Sequence, residues 1–185
     1  MAQFSSLEDQ VRECFGRIVY THKTHEKMAD QCSATLRRNK GAQIWLSALT
    51  SSGIVSTFVI EETWLKIATA VLSFLSLILS SYLKSFDPGG AAQKHRDAAA
   101  SLWPIRESYL SLLTDLRMGV VSMEQALACR DDLQRKLAAI YKGAPQTTAK
   151  AYEAARSALK EHEEFTFSDS EIDKFLPASL RKTNE

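Results

Sequence analysis

Two long stretches almost without charge constrain this chain more than any other feature of its sequence. No charged residue occurs between Lys40 and Glu61, and only Lys66 interrupts the stretch from Thr63 to Leu83. The average composition hides this pattern, since 24% of the residues are charged and the net charge is +1. A segment of this length without charge favours an apolar environment along its whole length.

Both stretches have the length of membrane-spanning helices. Residues 42–60 are nineteen uncharged residues, which as a helix extend about 28 Å, close to the hydrocarbon thickness of a bilayer. Residues 64–83 are twenty residues and are more apolar. The intervening Glu61-Glu62-Thr63 is so short that the two helices should be antiparallel neighbours. The alternative is a soluble protein with a long buried helical hairpin, but charge-free runs of this length favour membrane spans.

The rest of the sequence also predicts helices, because Gly and Pro are sparse and no run alternates apolar and polar residues. From Leu7 to Leu36, apolar or weakly polar side chains recur every three or four residues, which predicts an amphipathic helix. Nothing at Gly41 need stop this helix. Further helices are expected at about 91–118, where Pro104 should kink or restart the helix, then at about 122–143 and 147–164. On the 91–118 helix one stripe carries His95, Leu102, Ile105, Tyr109, Leu112 and Leu116. The inward-facing residues expected in the 122–143 helix are Met123, Leu127, Leu133, Leu137 and Ile140.

We therefore predict an all-α fold, a two-helix transmembrane hairpin with a long N-terminal amphipathic helix and C-terminal cytosolic helices. Its regions are an N-terminal amphipathic cytosolic helix (1–41), the transmembrane hairpin (42–83), a cytosolic helical region (84–165), and a tail with room for one short helix (166–185).

The charges that flank the hairpin predict its orientation. Basic residues lie before the first span and after the second, whereas the turn carries two glutamates and no base. A Lys/Arg excess marks the cytoplasmic side, so we expect a multi-pass protein of the inner (cell) membrane with both termini in the cytoplasm. Trp45 and Tyr82 would then lie at the inner interface and Trp64 at the outer one. Lys66 lies one turn from the outer surface, where its ammonium group can reach the headgroups.

Hydroxyl and small residues are ordered along both predicted spans. Thr69, Ser73, Ser76 and Ser80 recur every three or four residues, and so do Thr50, Gly53 and Thr57. Such faces let membrane helices approach closely and bond to one another. In an oligomer, such a face can instead line a water-accessible pore. A single hairpin cannot enclose a pore, so the second hypothesis requires self-assembly.

His22, His25 and Glu26 form the most unusual polar cluster. Both histidines fall on the apolar stripe of the N-terminal helix, which favours a polar layer that fixes the register of a helix–helix contact. A metal site is the alternative, but the spacing H-x-x-H-E matches neither zinc-protease pattern, and a third ligand would have to be His95 or His162. We therefore expect no metal and no cofactor.

Other motifs that indicate chemistry or polyanion binding are absent from the sequence. There is no phosphate-binding loop, dinucleotide fingerprint, nucleophile elbow or paired-carboxylate pattern, so we expect no enzyme. The near-neutral charge argues against direct nucleic-acid binding. The three cysteines are odd in number and far apart, so they suggest neither a disulfide framework nor a zinc knuckle.

The sequence resembles a known family of bacterial effector domains. A basic amphipathic helix containing Tyr20-Thr21-His22-Lys23-Thr24-His25-Glu26-Lys27 precedes the hairpin, and a helical tail follows. This arrangement, over about 11–164, resembles the SLATT domain, a two-transmembrane effector domain associated with SMODS nucleotidyltransferases and SLOG nucleotide sensors. The resemblance implies a pore-forming or membrane-disrupting effector of antiviral defence, which arrests or kills the infected cell (abortive infection). It implies no catalytic residues.

Three functions follow as hypotheses. The first is an oligomeric membrane effector, with the lipid bilayer and other copies of the chain as partners and a nucleotide-signalling, reverse-transcriptase or SLOG sensor as its trigger. The second is a passive membrane anchor or scaffold that recruits a cytosolic partner through its helices. The third is a metal enzyme that uses His22, His25 and Glu26. The hydroxyl faces and the resemblance favour the first.

Overall fold

The computed structural model describes residues 2–182, and most of these residues lie in helices joined by short connections. The helices are α1 (Ala2–Thr57), α2 (Thr63–Phe86), α3 (Pro88–Met118), α4 (Met123–Gly143), α5 (Ala149–Lys160) and α6 (Asp169–Phe175), followed by a 3₁₀ turn at Ala178–Leu180. No strand occurs among the described residues, which confirms the predicted all-α class. Residue 1 lies outside this range, and so do residues 183–185 at the end of the predicted tail.

Helix α1 joins the amphipathic segment to the first apolar segment without a break. Its 56 residues extend about 84 Å at 1.5 Å per residue, and it passes straight through Gly41 and Ala42. It ends at Thr57, three residues before the apolar stretch ends. The connection to α2 is therefore residues 58–62, longer than the predicted turn.

The core forms where the N-terminal half of α1 packs against α3 and α4. Its buried residues from α1 are Leu7, Val11 and Ile18; those from α3 are Ile105, Tyr109, Leu112 and Leu116; those from α4 are Ala126 and Leu133. Helix α5 contacts α1 through a face of small residues, Ala151, Ala155 and Ala158, all buried. The predicted α3 stripe is confirmed, since its residues from His95 to Leu116 are buried.

The structure decides between two alternatives for α3 and differs from the sequence prediction in α4. Helix α3 runs through Pro104 and does not restart there. In α4, Leu127 is exposed and Ala126 is buried in its place, so the predicted inward face was wrong at that position. Ser122 caps α4, with reciprocal bonds to Gln125.

Helix α2 and the C-terminal third of α1 extend beyond this core. Asp87, in a left-handed conformation with φ 33°, separates α2 from α3 and caps α3 by accepting a hydrogen bond from the Gly90 amide. Large apolar side chains cover the projecting part and are exposed, among them Ile44, Leu49, Val55, Ile67, Val71, Phe74, Leu77 and Ile78. The described part of the chain therefore leaves these apolar side chains exposed.

Candidate functional site

A pair of buried histidines joins α1 to α3. His25 Nδ1 lies 2.9 Å from His95 Nδ1, and both side chains are buried. At that distance one ring donates its proton and the other accepts it, so the contact requires at least one neutral imidazole. Burial, followed by repulsion from His95 and His22, lowers the pKa of His25 to about 4. Burial also lowers the pKa of His95. The pair is therefore neutral at physiological pH.

Lys23, two residues before His25, ties α1 to the segment after α5. Its ammonium group lies 2.8 Å from Glu26 and 2.5 Å from Glu164, and Lys27 lies 3.0 Å from the same Glu164. Burial alone would lower the pKa of Lys23, but the hydrogen bonds to Glu164 and Glu26 raise it above its usual value. Hydrogen bonds from Lys23 and Lys27 lower the pKa of Glu164 to about 2.

Phe165 completes the polar layer from the other side. Its ring lies 5.6 Å from the His22 ring, and both Lys23 Nζ and the Arg106 guanidinium lie over it, at 4.4 and 4.7 Å from its centroid. Such cation–π contacts are favoured when the cation is shielded from water. The layer thus connects α1, α3 and the loop between α5 and α6.

The predicted polar residues therefore lie together, with one difference between the two histidines. His25 pairs with His95 on α3, whereas His22 faces Glu26 at 3.8 Å, beyond hydrogen-bond distance. The described residues contain no group of three or more His, Cys, Asp or Glu side chains placed to hold a metal ion.

Sequence reasoning missed Glu164, Phe165 and Arg106. Glu164 and Phe165 are more than 130 residues from Lys23, and no local pattern links an exposed-looking Glu-Phe pair to a distant lysine. A signal for His95 was available, because it falls on the apolar stripe of α3 just as His25 falls on that of α1.

The second predicted set of residues lies where α1 packs on α2. Gln43 Nε2 donates to Ser80 Oγ at 2.9 Å, and Gly53 lies against Thr69, so closely that a methyl group at Gly53 would come within 2.5 Å of Thr69 Oγ1. Residues 43 and 53 of α1 thus pair with residues 80 and 69 of α2, in antiparallel order. A glycine fits here because the Thr69 side chain occupies the space that a Cβ atom would need.

The hydroxyl residues divide between this contact and the exposed surface. Thr69 is buried, and Thr50, Gly53, Thr57, Ser76 and Ser80 are half-buried, whereas Ser73 is exposed. Thr57, Thr69 and Ser80 donate hydrogen bonds to carbonyls of their own helices, at 2.7 to 2.9 Å. Thr50 Oγ1 is buried without a hydrogen-bond partner among residues 2–182.

The aromatic residues predicted at the membrane surfaces lie at opposite ends of the α1–α2 contact. Because residue 43 pairs with residue 80, Trp45 and Tyr82 lie at the end near α3. Trp64 and Lys66 begin α2 at the other end. All four side chains are exposed.

Only one helical stretch within residues 2–182, Thr63–Met118, is long and apolar enough to cross a membrane, and its apolar part is α2. An apolar helix in the core of a soluble protein would be mostly buried, whereas only 6% of the apolar segment of this helix is buried. Helix α1, which contains the first predicted span, is less apolar than this and does not qualify as a membrane-crossing helix by its composition. Its apolar end carries six hydroxyl residues.

These features define a helical protein with one strongly apolar, uncovered helix and a packed polar layer outside it. Residues 7–171 match the family model described as SMODS and SLOG-associating 2TM effector domain family 4. The match covers most of the chain, and the chain belongs to this family of two-transmembrane effector domains. No curated protein and no solved structure matched the chain.

Proposed function

We propose that this protein is an oligomeric effector of the bacterial inner membrane that permeabilises the bilayer when a defence system triggers it. The observation that carries the proposal is the uncovered apolar surface of α2 and the end of α1. In water, an apolar surface this extensive promotes association or aggregation, whereas lipid would cover it at no cost. Family membership adds that the domain is an effector associated with SMODS and SLOG systems.

In this proposal, α2 and residues 42–57 of α1, with the connection that follows, form a two-span hairpin with both termini in the cytoplasm. The positions of Trp45, Tyr82, Trp64 and Lys66 support it, because residues suited to an interface mark each end of the apolar region. Arg37, Arg38, Lys40 and Lys84 lie at the end that continues into the polar layer, as a cytoplasmic side requires.

The pore would form between copies of the chain. In the resting protomer most hydroxyls face the α1–α2 contact or bond their own helix, so the water-filled path needs a rearrangement or a neighbouring copy. Ser73 is exposed and Ser76 half-buried on the same helix, which puts Ser73 where it can contact another copy. No Asp, Glu or Arg lies in the apolar part of either helix, so such a pore would select weakly by charge.

Replacing Ser73 and Ser76 by Leu tests the pore. The double variant should insert in the membrane but lose toxicity, because two leucines would make the hydroxyl face apolar and exclude water. Membrane potential is followed with a voltage-sensitive dye in cells that express the chain with its trigger. The matched control replaces exposed Val71 and Phe74 of the same helix by Leu, which should leave depolarisation unchanged. Full depolarisation by the Ser73→Leu/Ser76→Leu variant would contradict the proposal.

A membrane anchor that recruits a partner is the second candidate, and one observation favours it. The hydroxyls of Thr57, Thr69 and Ser80 are already satisfied within the chain, as helix packing alone would require. An anchor should tolerate changes at Ser73 and Ser76, and should instead lose partner binding when cytosolic packing at Leu112, Leu116, Leu133 or Leu137 is altered. Cells that never depolarise, even with the trigger present, would favour the anchor.

A further inference from the structure

A cleft of about 620 Å³ opens between α1 and α3 beside His22. On α3 its lining residues follow one helix face, from Arg96 through Ala99, Ala100 and Trp103 to Arg106. The face of α1 contributes Glu26, Ala29 and Asp30 in addition to His22, and Phe165 closes one side. Three alanines line the middle, and their small side chains leave the space open. The volume falls in the range of small-molecule sites, roughly 300–1,000 Å³.

The charges that line the cleft are not all balanced. Arg106 is paired with Glu107 at 2.7 Å, and Glu26 with Lys23 at 2.8 Å. Arg96 forms no ion pair among residues 2–182, and its guanidinium donates a hydrogen bond to Ser33 Oγ at 2.6 Å. Asp30 on the facing helix forms none within those residues either. The cleft therefore offers one unneutralised cation and one unneutralised carboxylate on opposite walls.

Two further groups in the cleft lack partners. Trp103 lies between the two arginines along α3 and is 52% exposed, so its ring is free to stack on a flat molecule. His22 is 5% exposed, and its Nδ1 has no hydrogen-bond partner in the described part of the chain. A buried polar atom without a partner is costly, but this Nδ1 is shielded from the cleft as well as from water, so the contacts with a ligand fall to the exposed groups.

We propose that this cleft binds a small organic anion that carries a flat ring with N–H groups. Arg96 would bind the anionic group by a charge-assisted hydrogen bond, Trp103 would stack on the ring, and Asp30 would accept a hydrogen bond from an amino group on the ring. A phosphate on a nucleotide and a carboxylate on an amino-substituted aromatic acid both meet this description. The site lies outside the apolar region, so it holds whether or not the chain forms a pore.

Calorimetric titration of the full chain in detergent distinguishes a ligand with a phosphate from a ligand with a carboxylate. The probes are AMP and anthranilate, each with fragments that lack one half of the chemistry: adenosine and inorganic phosphate for AMP, aniline and acetate for anthranilate. At least one intact probe should bind at least about tenfold more tightly than either of its fragments, since ring and anion contacts add. Binding of AMP identifies the phosphate source, and binding of anthranilate the carboxylate source. If neither probe binds, or if its fragments bind equally well, the proposal is wrong.

Substitutions of residues that line the cleft test whether the ligand binds there. Arg96→Gln should weaken binding about tenfold or more, because a charge-assisted bond is lost, whereas Lys94→Gln, exposed on the same helix outside the cleft, should not. Ala100→Trp should fill the cleft and abolish binding, with Ala128→Trp on α4 as its control. Ala100 and Ala128 are both exposed, so neither change disturbs the core, and circular dichroism checks the fold. Unchanged affinity in Ala100→Trp would overturn the assignment.

Discussion

At the scale of the residue, the hydrogen bond between His25 and His95 depends on the protonation state of both rings. With both rings neutral, one Nδ1–H donates to the other Nδ1 and the two helices are joined by a satisfied buried bond. A second proton on each ring would place two cations about 3 Å apart in a buried site, where repulsion and desolvation both oppose the charge. The structure therefore resists protonation at this point.

We expect the protein to lose stability as the pH falls from about 6.5 to 4. In this window the unfolded histidines bind protons and the folded His25, with its pKa of about 4, does not, so acid favours the unfolded state. Thermal unfolding of the solubilised protein at a series of pH values measures this, and about 1 kcal/mol moves the Tm of a chain this size by about 2–4 °C. Glu164 acts in a lower window, from about 4.5 to 2, where its bonds to lysine are lost.

The variant His25→Leu/His95→Leu should flatten the dependence between pH 6.5 and 4 while remaining folded, because both partners of the bond are removed together. The single change His25→Leu should destabilise the protein more, since His95 is left buried without a partner. His162→Leu, at an exposed position, is the control. An unaltered pH profile in the double variant would show that the pair is not responsible.

At the scale of the element, the contact of α1 with α2 depends on one glycine. We expect Gly53→Ala to force the helices apart or twist the Thr69 side chain, because the new methyl group would lie 2.5 Å from Thr69 Oγ1. Overpacking of this kind costs about 1–3 kcal/mol. Thermal unfolding in detergent should show a lower Tm. Gly41→Ala on the same helix meets nothing within 4 Å, so it should leave the Tm unchanged or raise it, as alanine favours a helix over glycine.

A second change in α2 separates this clash from a general effect on α1. Thr69→Ala removes the Oγ1 and Cγ2 atoms that the new methyl group meets and leaves Cβ at 3.4 Å, an ordinary contact. The double variant Gly53→Ala/Thr69→Ala should therefore recover most of the Tm lost in Gly53→Ala. Failure to recover would mean that the glycine serves the flexibility of α1 rather than its approach to α2.

The sequence predicted the elements of this fold better than the contacts between them. Spacing alone placed the buried stripe of α3 and both histidines of the pair, since periodicity records which face of a helix is covered. It could not place Glu164 beside Lys23, because nothing local encodes a contact across 141 positions. The burial of Leu127 was predicted wrongly for a related reason: hydrophobicity alone does not specify which face of α4 meets the other helices, and that face carries Ala126.

At the scale of the whole molecule, one helix connects the two regions. Helix α1 carries the polar layer and the ligand cleft in its N-terminal half and the contact with α2 in its C-terminal third. Because α1 is one continuous helix of about 84 Å, a tilt at the polar layer would also displace residues 42–57. If a trigger acts on the cytosolic helices, α1 is the physical route to the apolar region, and the exposed apolar surface is where a neighbouring copy would respond.

The proposed topology makes a prediction for the whole molecule. With both termini in the cytoplasm, the connection between α1 and α2 must lie outside the inner membrane, so a cysteine introduced as Glu62→Cys should react with a membrane-impermeant thiol reagent added to spheroplasts. Cys14 is half-buried and Cys129 exposed, yet neither should react until the membrane is opened with detergent. After detergent, reaction at Cys129 serves as the positive control for reagent and exposure. Labelling of Cys129 in intact spheroplasts would contradict the model, because it would put α4 on the outer side and remove the agreement between the basic flanks and the cytoplasm.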